Sequence, residues 1–177
     1  MPEFIDDATF GGYFRQFEHT AWRLETRRGY ASDRASEKYA RFLRGEVLGI
    51  EGSDWCTNVR TQTEKGKRFE RVRLVDDPPT EGQRFLLASA ASNNAAGEDI
   101  RNMRRAEADK LGLPAEDFWL FDSRLALLLH FDENDGYLGA ELIEDPTRIV
   151  RYCQVRDAAW HYAARREEFL KQVRSHV

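Results

Sequence analysis

Cysteine is scarce in this chain. Cys56 and Cys153 are the only two, they stand far apart, and no CxxC pair or Cys/His cluster accompanies them. That gives no support to a disulfide framework and fits reduced thiols in a cytosolic protein. Long apolar runs are missing as well. The longest, Leu125 to Leu129, falls far short of the roughly 20 residues that cross a bilayer. The opening MPEFIDDATF lacks the basic-then-apolar order of a secretory signal, so a soluble, cytoplasmic protein with no membrane partner is expected. A surplus of positive charge is absent: 27 Lys+Arg meet 31 Asp+Glu, for a net charge of −4. Direct nucleic-acid binding is therefore not expected from the global charge. The P-loop, GxGxxG, GxSxG, HxxxH and HExxH patterns do not occur, and the histidines at 19, 130, 161 and 176 are scattered. No metal site and no cofactor is predicted.

What the chain does have is enough apolar material for a packed interior. Its 177 residues are 41% hydrophobic and 12% aromatic, which suits one domain with a sizeable core. Arginine outnumbers lysine by 22 to 5, and a guanidinium grips carboxylates or phosphates in two-point fashion better than an ammonium does.

The periodicity predicts an α+β fold in a single domain, 1–177. A mainly helical N-terminal part covers 1–66, a sheet-rich core 67–145 and a long C-terminal helix 146–177, with the sheet mostly antiparallel. Thr9 is read as the cap of a first helix bearing Phe10, Tyr13, Phe14 and Phe17. Ala21 to Arg27 alternates Trp22, Leu24 and Thr26 against Arg23, Glu25 and Arg27, a strand pattern. Ser36 and Ser53 are read as caps of two further helices. Arg68 to Val75 is a strand with Val72 and Leu74 on one face and Arg71 and Arg73 on the other. Thr80 and Gln83 fit a capping box. Phe118 to Phe121, Arg124 to Phe131 and Tyr137 to Ile143 read as strands, the last two joined at Asn134-Asp135-Gly136. In the first of these, Trp119 and Phe121 oppose Phe118 and Leu120, as in a strand covered on both sides. Asp145 and Pro146 start the terminal helix, with a kink expected near Arg156-Asp157.

The segment Asn93 to Ser123 is dense in ionisable groups. Arg71 and Arg73 share a strand face, where they are suited to clamp a carboxylate or phosphate; the alternative is an ordinary charged sheet face laced with ion pairs. Glu98 and Asp99 are adjacent and point apart on extended chain, so only one of them is available to join Asp117 or Asp122. The expected ligand- or partner-binding set is Arg71, Arg73, Glu98, Asp99, Arg101, Asp122 and Arg124. If the protein is an enzyme, Glu98, Asp122 and Arg73 are its candidate catalytic residues. Whether it is an enzyme is left open.

Several stretches together resemble a known family. NAAGEDIR (Asn94 to Arg101), GLPAEDFWLFDS (Gly112 to Ser123), LHFD (Leu129 to Asp132), GAELIEDP (Gly139 to Pro146) and RDAAW (Arg156 to Trp160) are similar to an uncharacterised actinobacterial family, domain of unknown function 6879. FEHTAWRLE (Phe17 to Glu25) and KRFERVRLV (Lys67 to Val75) extend the resemblance over nearly the whole chain. It implies a cytosolic protein encoded beside a helix-turn-helix regulator, and no catalytic residues. The function expected on that basis is a regulatory binding protein, partner of a helix-turn-helix transcriptional regulator in a toxin–antitoxin-like or signalling module. A small-molecule ligand is compatible with it. The alternative is a phosphodiester- or nucleotide-directed enzyme, a nuclease-like toxin, working through an Arg/carboxylate site.

Overall fold

The computed structural model describes residues 1–174, so the reading of His176 lies outside the described residues. Thr20–Glu25 forms β1, Arg68–Val75 β2, Asp99–Arg104 β3, Asp117–Phe121 β4, Leu125–Phe131 β5, Tyr137–Ile143 β6 and Ala164–Arg165 β7. They make one seven-stranded sheet in the order β6-β5-β4-β1-β2-β3-β7. Four of the six pairings are antiparallel; β1 with β2 and β2 with β3 are parallel. Parallel neighbours need long crossovers. The first holds α2 (Ala31–Arg34), α3 (Glu37–Leu43) and α4 (Asp54–Glu64), and the second is α5 (Glu81–Ala96). α1 (Asp7–Gln16) precedes the sheet, α6 (Arg105–Lys110) follows β3, and α7 (Pro146–Tyr162) and α8 (Arg166–Arg174) close the chain. The fold is α+β, as the hydrophobic pattern predicts.

The two-residue period of each strand sends alternate side chains into two separate cores. On one face Trp22, Leu24, Val72, Phe118 and Leu120 pack against Ile149, Tyr152, Val155 and Ala159 of α7. On the other, Phe69, Trp119, Phe121 and Leu127 pack under Phe14, Cys56 and Val59 of the N-terminal helices. β4 is buried at all five positions, as a doubly covered strand must be.

Local signals hold at most helix starts. Ser36 and Ser53 cap α3 and α4, Thr80 and Gln83 form a complete capping box on α5, and Asp145 caps α7 with Pro146 behind it. Two expectations are corrected. The cap of α1 is Asp6, whose carboxylate accepts the Thr9 backbone N–H at 2.7 Å, so Thr9 lies inside the first turn. The terminal helix does not kink at Arg156-Asp157. α7 runs unbroken to Tyr162, and the chain then extends through β7, which pairs Ala164 and Arg165 with Asn102 and Arg101 of β3 before α8 begins. Edge pairing with β3, far away in sequence, sets that break.

Candidate functional site

Parallel register brings four charged side chains side by side. Arg23 of β1 lies opposite Arg71 of β2, and Glu25 opposite Arg73. All four project toward the helices α1 to α5, beyond the aromatic layer of that face. Glu98 reaches the same place from the turn after Gly97, whose φ of 118° ends α5 in the left-handed region.

Burial turns these charges into a network. Arg71 donates through Nε to Glu98 at 2.7 Å and through Nη1 to Glu25 at 2.5 Å. Arg73 donates through Nε to the other Glu25 oxygen at 2.5 Å and through Nη1 to the Leu86 carbonyl at 3.1 Å. Trp55 Nε1 and Asn93 Nδ2 complete the Glu98 carboxylate at 3.0 and 3.1 Å. Glu98 thus holds three partner residues and has no lone pair to spare for a substrate proton. Burial pushes the Glu25 carboxyl up, but Arg73, Arg23 and Arg71 outweigh it and hold the group well below the usual carboxylate range. The Arg71 guanidinium would be pulled down by burial, yet Glu98 and Glu25 raise it above its ordinary value.

A second cluster adjoins the first. Asp117 accepts from the Thr26 backbone N–H and hydroxyl, both at 2.7 Å, and from the Tyr30 hydroxyl at 2.6 Å. Arg23 sits between the clusters and is the least committed base. Its Nη atoms lie 3.4 and 3.5 Å from Glu25 and Asp117, and its Nε is buried with no acceptor. The Arg23 guanidinium lies 5.6 Å from the Trp119 ring centre and 5.7 Å from that of Tyr30.

Above this floor opens a cleft of about 850 Å³. Phe10, Phe14, Trp55, Phe85, Phe131 and Tyr137 are among its walls, with Asp33 of α2 and Lys38 of α3 along one side. Cavities of this size, mostly apolar with a few convergent polar groups, are where small molecules bind. Among the acids that line the cleft, Asp33 and Asp54 have no donor among the described residues paired with their carboxyls. Burial and then Glu25 push the Asp33 carboxyl up, against Arg73, Arg23 and Arg71, to about 6.

The structure divides the expected site residues. Arg71, Arg73 and Glu98 meet in the floor. Asp99 and Arg101 lie on the opposite sheet face, bonded to each other at 3.0 and 3.3 Å, with Arg101 stacked 3.8 Å from the Trp160 ring centre. Asp122 is in the β4–β5 turn, where its carboxylate accepts the backbone N–H groups of Glu18, His19 and Thr20 at 2.7–2.9 Å. Burial raises that carboxyl and the three N–H groups lower it, with a net shift downward. Arg124 is exposed, 3.9 Å from Glu18. Three of the seven residues, Arg71, Arg73 and Glu98, thus lie together, and the other four lie elsewhere. The cleft residues that sequence reasoning missed are Arg23, Glu25, Asp33 and Tyr30. The alternation on β1 placed Arg23 and Glu25 on one face, but their register with β2 depends on a crossover no local pattern encodes.

Across the sheet a second, more polar cleft of about 550 Å³ lies between Trp22, Arg68, Ser123, Arg156 and Trp160. Among the described residues no group of three or more His, Cys, Asp or Glu is placed to hold a metal ion. Among the described residues no helix is long and apolar enough to cross a membrane. A protein-family model described as "Domain of unknown function (DUF6879)" matches residues 8–171. The search of curated proteins finds no match.

Proposed function

Since the chain belongs to the DUF6879 family, with its matched region spanning both cores and the cleft, we propose that it is a cytosolic regulatory binding protein that captures a ligand in the central cleft and contacts a protein partner through its surface. The partner in this reading is a helix-turn-helix transcriptional regulator in a toxin–antitoxin-like or signalling module, the role that the resemblance to actinobacterial relatives implies. The observation that carries the ligand half is the cleft itself. Its aromatic walls enclose a floor whose carboxylates Glu25 and Glu98 are locked in ion pairs, an arrangement built for holding rather than for proton transfer. The partner half is supported by exposed apolar side chains at the end of α3 and on the segment that follows it: Leu43, Val47 and Ile50 are 55%, 93% and 73% exposed. Co-purification with the adjacently encoded regulator at micromolar concentration tests it. Retention by the wild type and loss with Val47→Asp/Ile50→Asp is the expected result. No association at that concentration removes the partner reading.

One observation favours the alternative, a phosphodiester- or nucleotide-directed enzyme. Asp33 lines the cleft, is unpaired and is pushed up by burial to about 6, the direction a general base needs. Of the residues first named for that role, Glu98 is fully engaged and Asp122 lies outside the cleft, so this reading now turns on Asp33 with Arg73. It predicts growth arrest on expression that Asp33→Asn relieves. A harmless wild type that cleaves neither RNA nor DNA with added Mg²⁺ or Mn²⁺ excludes it.

A further inference from the structure

We infer that the polar cleft on the α7 side of the sheet binds a free α-amino acid, its ammonium on the Glu70 carboxylate and its carboxylate on the guanidiniums of Arg68 and Arg156. The inference does not rest on the central cleft holding a ligand.

Strand alternation builds this site. Thr20 and Trp22 of β1 and Arg68 and Glu70 of β2 point to one side of the sheet, and parallel register sets Thr20 beside Arg68 and Trp22 beside Glu70. The C-terminal part of α7 supplies Arg156, Trp160 and His161. The β4–β5 turn joins the two. The Asp122 backbone N–H donates to the Thr20 carbonyl at 2.9 Å, and the next residue, Ser123, accepts from Arg156 Nη1 at 2.6 Å.

Much of the polar lining is already satisfied. Arg156 serves the Ser123 hydroxyl through Nη1 and Asp157 through Nε, the latter at 3.0 Å, and Thr20 Oγ accepts from Arg68 Nη2 at 3.1 Å. Trp22 Nε1 has no acceptor but is sealed from solvent, so no ligand reaches it. Glu70 is different. Its side chain is 16% exposed and accepts no hydrogen bond among the described residues; Arg68 Nε, 3.9 Å from Oε1, is outside hydrogen-bond reach. Asp99, the register neighbour of Glu70 on β3, is taken by Arg101. Arg68 keeps Nε and Nη1 unused and Arg156 keeps Nη2, and both guanidiniums reach solvent. Trp160 and His161 make no hydrogen bond among the described residues and flank the cleft, where they meet the ligand's side chain.

The Arg68–Glu70 separation and the charges select the class. A donor and an acceptor 3.9 Å apart that do not bond each other are within reach of one small group carrying both complements. Two guanidiniums alone would suit phosphate, but an unpaired carboxylate so near Arg68 repels a dianion. A ligand without a cation leaves Glu70 short of a donor, and one without an anion leaves the arginines short of acceptors. An α-amino acid carries ammonium and carboxylate on adjacent carbons and satisfies both. Burial raises the Glu70 carboxyl, with Arg68 against it, Asp99 adding to the rise, and Arg101 and Arg156 opposing. An ammonium seated there favours the ionised form. The cleft, at about 550 Å³, has room for the backbone and a side chain.

The test is a melting-temperature screen of the full chain at pH 7.5 against each of the twenty protein L-amino acids at millimolar concentration, followed by calorimetric titration of the tightest binder. At least one amino acid is expected to raise the melting temperature and to titrate. Its amide, which lacks the carboxylate, and its deaminated acid, which lacks the ammonium, should each bind about tenfold more weakly or worse. Inorganic phosphate should not displace it. Glu70→Gln breaks no hydrogen bond among the described residues and Arg68→Met alters an exposed side chain, so both variants should fold. Each should weaken binding by about tenfold or more. Ser89→Trp, which fills the central cleft, should leave affinity unchanged. No stabilisation by any of the twenty, equal binding of the amide or the deaminated acid, displacement by phosphate, or full affinity in Glu70→Gln or Arg68→Met each overturns the inference. Binding lost in Ser89→Trp but kept in Glu70→Gln also overturns it and places the amino acid in the central cleft instead.

Discussion

At the scale of single residues, the energetics of the floor are set by desolvation. A buried ion pair contributes little beyond a well-packed apolar replacement, yet removing one partner strands the other. Arg71→Met leaves Glu98, with a side chain that is 0% exposed, and Glu25 short of their shared donor. A loss of about 3–5 kcal/mol is expected, read as a lower urea midpoint with an unchanged slope. Two acids of the cleft carry opposite pH signs. Glu25 is depressed on folding, so its contribution is present above its unfolded value of about 4.3 and lost only as pH falls through the lower folded value. Asp33 is raised to about 6, so the folded state holds more protons than the unfolded one between roughly pH 4 and 6. Stability contributed by that group falls as pH rises across the window. Asp33→Asn should consequently stabilise the protein by on the order of 1–2 kcal/mol at pH 7.5, a gain that shrinks toward pH 4. Thermal melts at the two pH values check this.

At the scale of elements, close approach overrides intrinsic preference. Gly82 is the second residue of α5, where helix propensity alone favours alanine by about 1 kcal/mol. A Cβ there would lie 2.7 Å from the Arg28 carbonyl oxygen and 2.8 Å from the Gly29 Cα, both backbone atoms. The Thr80 hydroxyl also donates to that carbonyl at 2.6 Å, which holds the helix start against the loop. Gly82→Ala is expected to destabilise by about 1–3 kcal/mol in chemical denaturation, opposite in sign to the propensity. The same contrast between local and remote causes explains what the sequence disclosed. The caps at Ser36, Ser53, Thr80 and Asp145 were legible because a cap is settled within four residues. Asp6 was overlooked in favour of Thr9 because both are good caps three residues apart. The break at Ala163 was invisible because β3 imposes it. For the site, the period of two placed Arg71 and Arg73 on one face, and it equally puts Asp99 and Arg101 on the other once the β2–β3 register is known. The contribution of Arg23 and Glu25 needed the β1–β2 register, which arises from a crossover of more than forty residues.

At the scale of the whole molecule, the N-terminal third supplies the middle of the sheet. β1 lies between β4 and β2, so the 1–66 stretch is not an appendage to a sheet-rich core but its keystone. A fragment of 67–177 would expose one edge of β2 and one of β4, along with the core surfaces that Trp22 and Leu24 cover on one face and Phe14, Phe17, Cys56 and Val59 on the other. It should show neither native far-ultraviolet circular dichroism nor dispersed amide resonances, and 1–66 added in trans should restore both. A 67–177 fragment that folds alone would contradict this architecture.

The Asp122 clasp has a consequence for biogenesis. Its carboxylate holds the backbone at Glu18, His19 and Thr20, residues 104, 103 and 102 positions earlier in the chain. On the ribosome, the leading segment emerges long before the turn that will latch it. Until β4 and that turn clear the exit tunnel, the nascent β1 has only β2 to pair with, and its tryptophan stays open to solvent on the flank that β4 will cover. Nascent-chain survival should hence depend on holdase chaperones until translation has passed the latch.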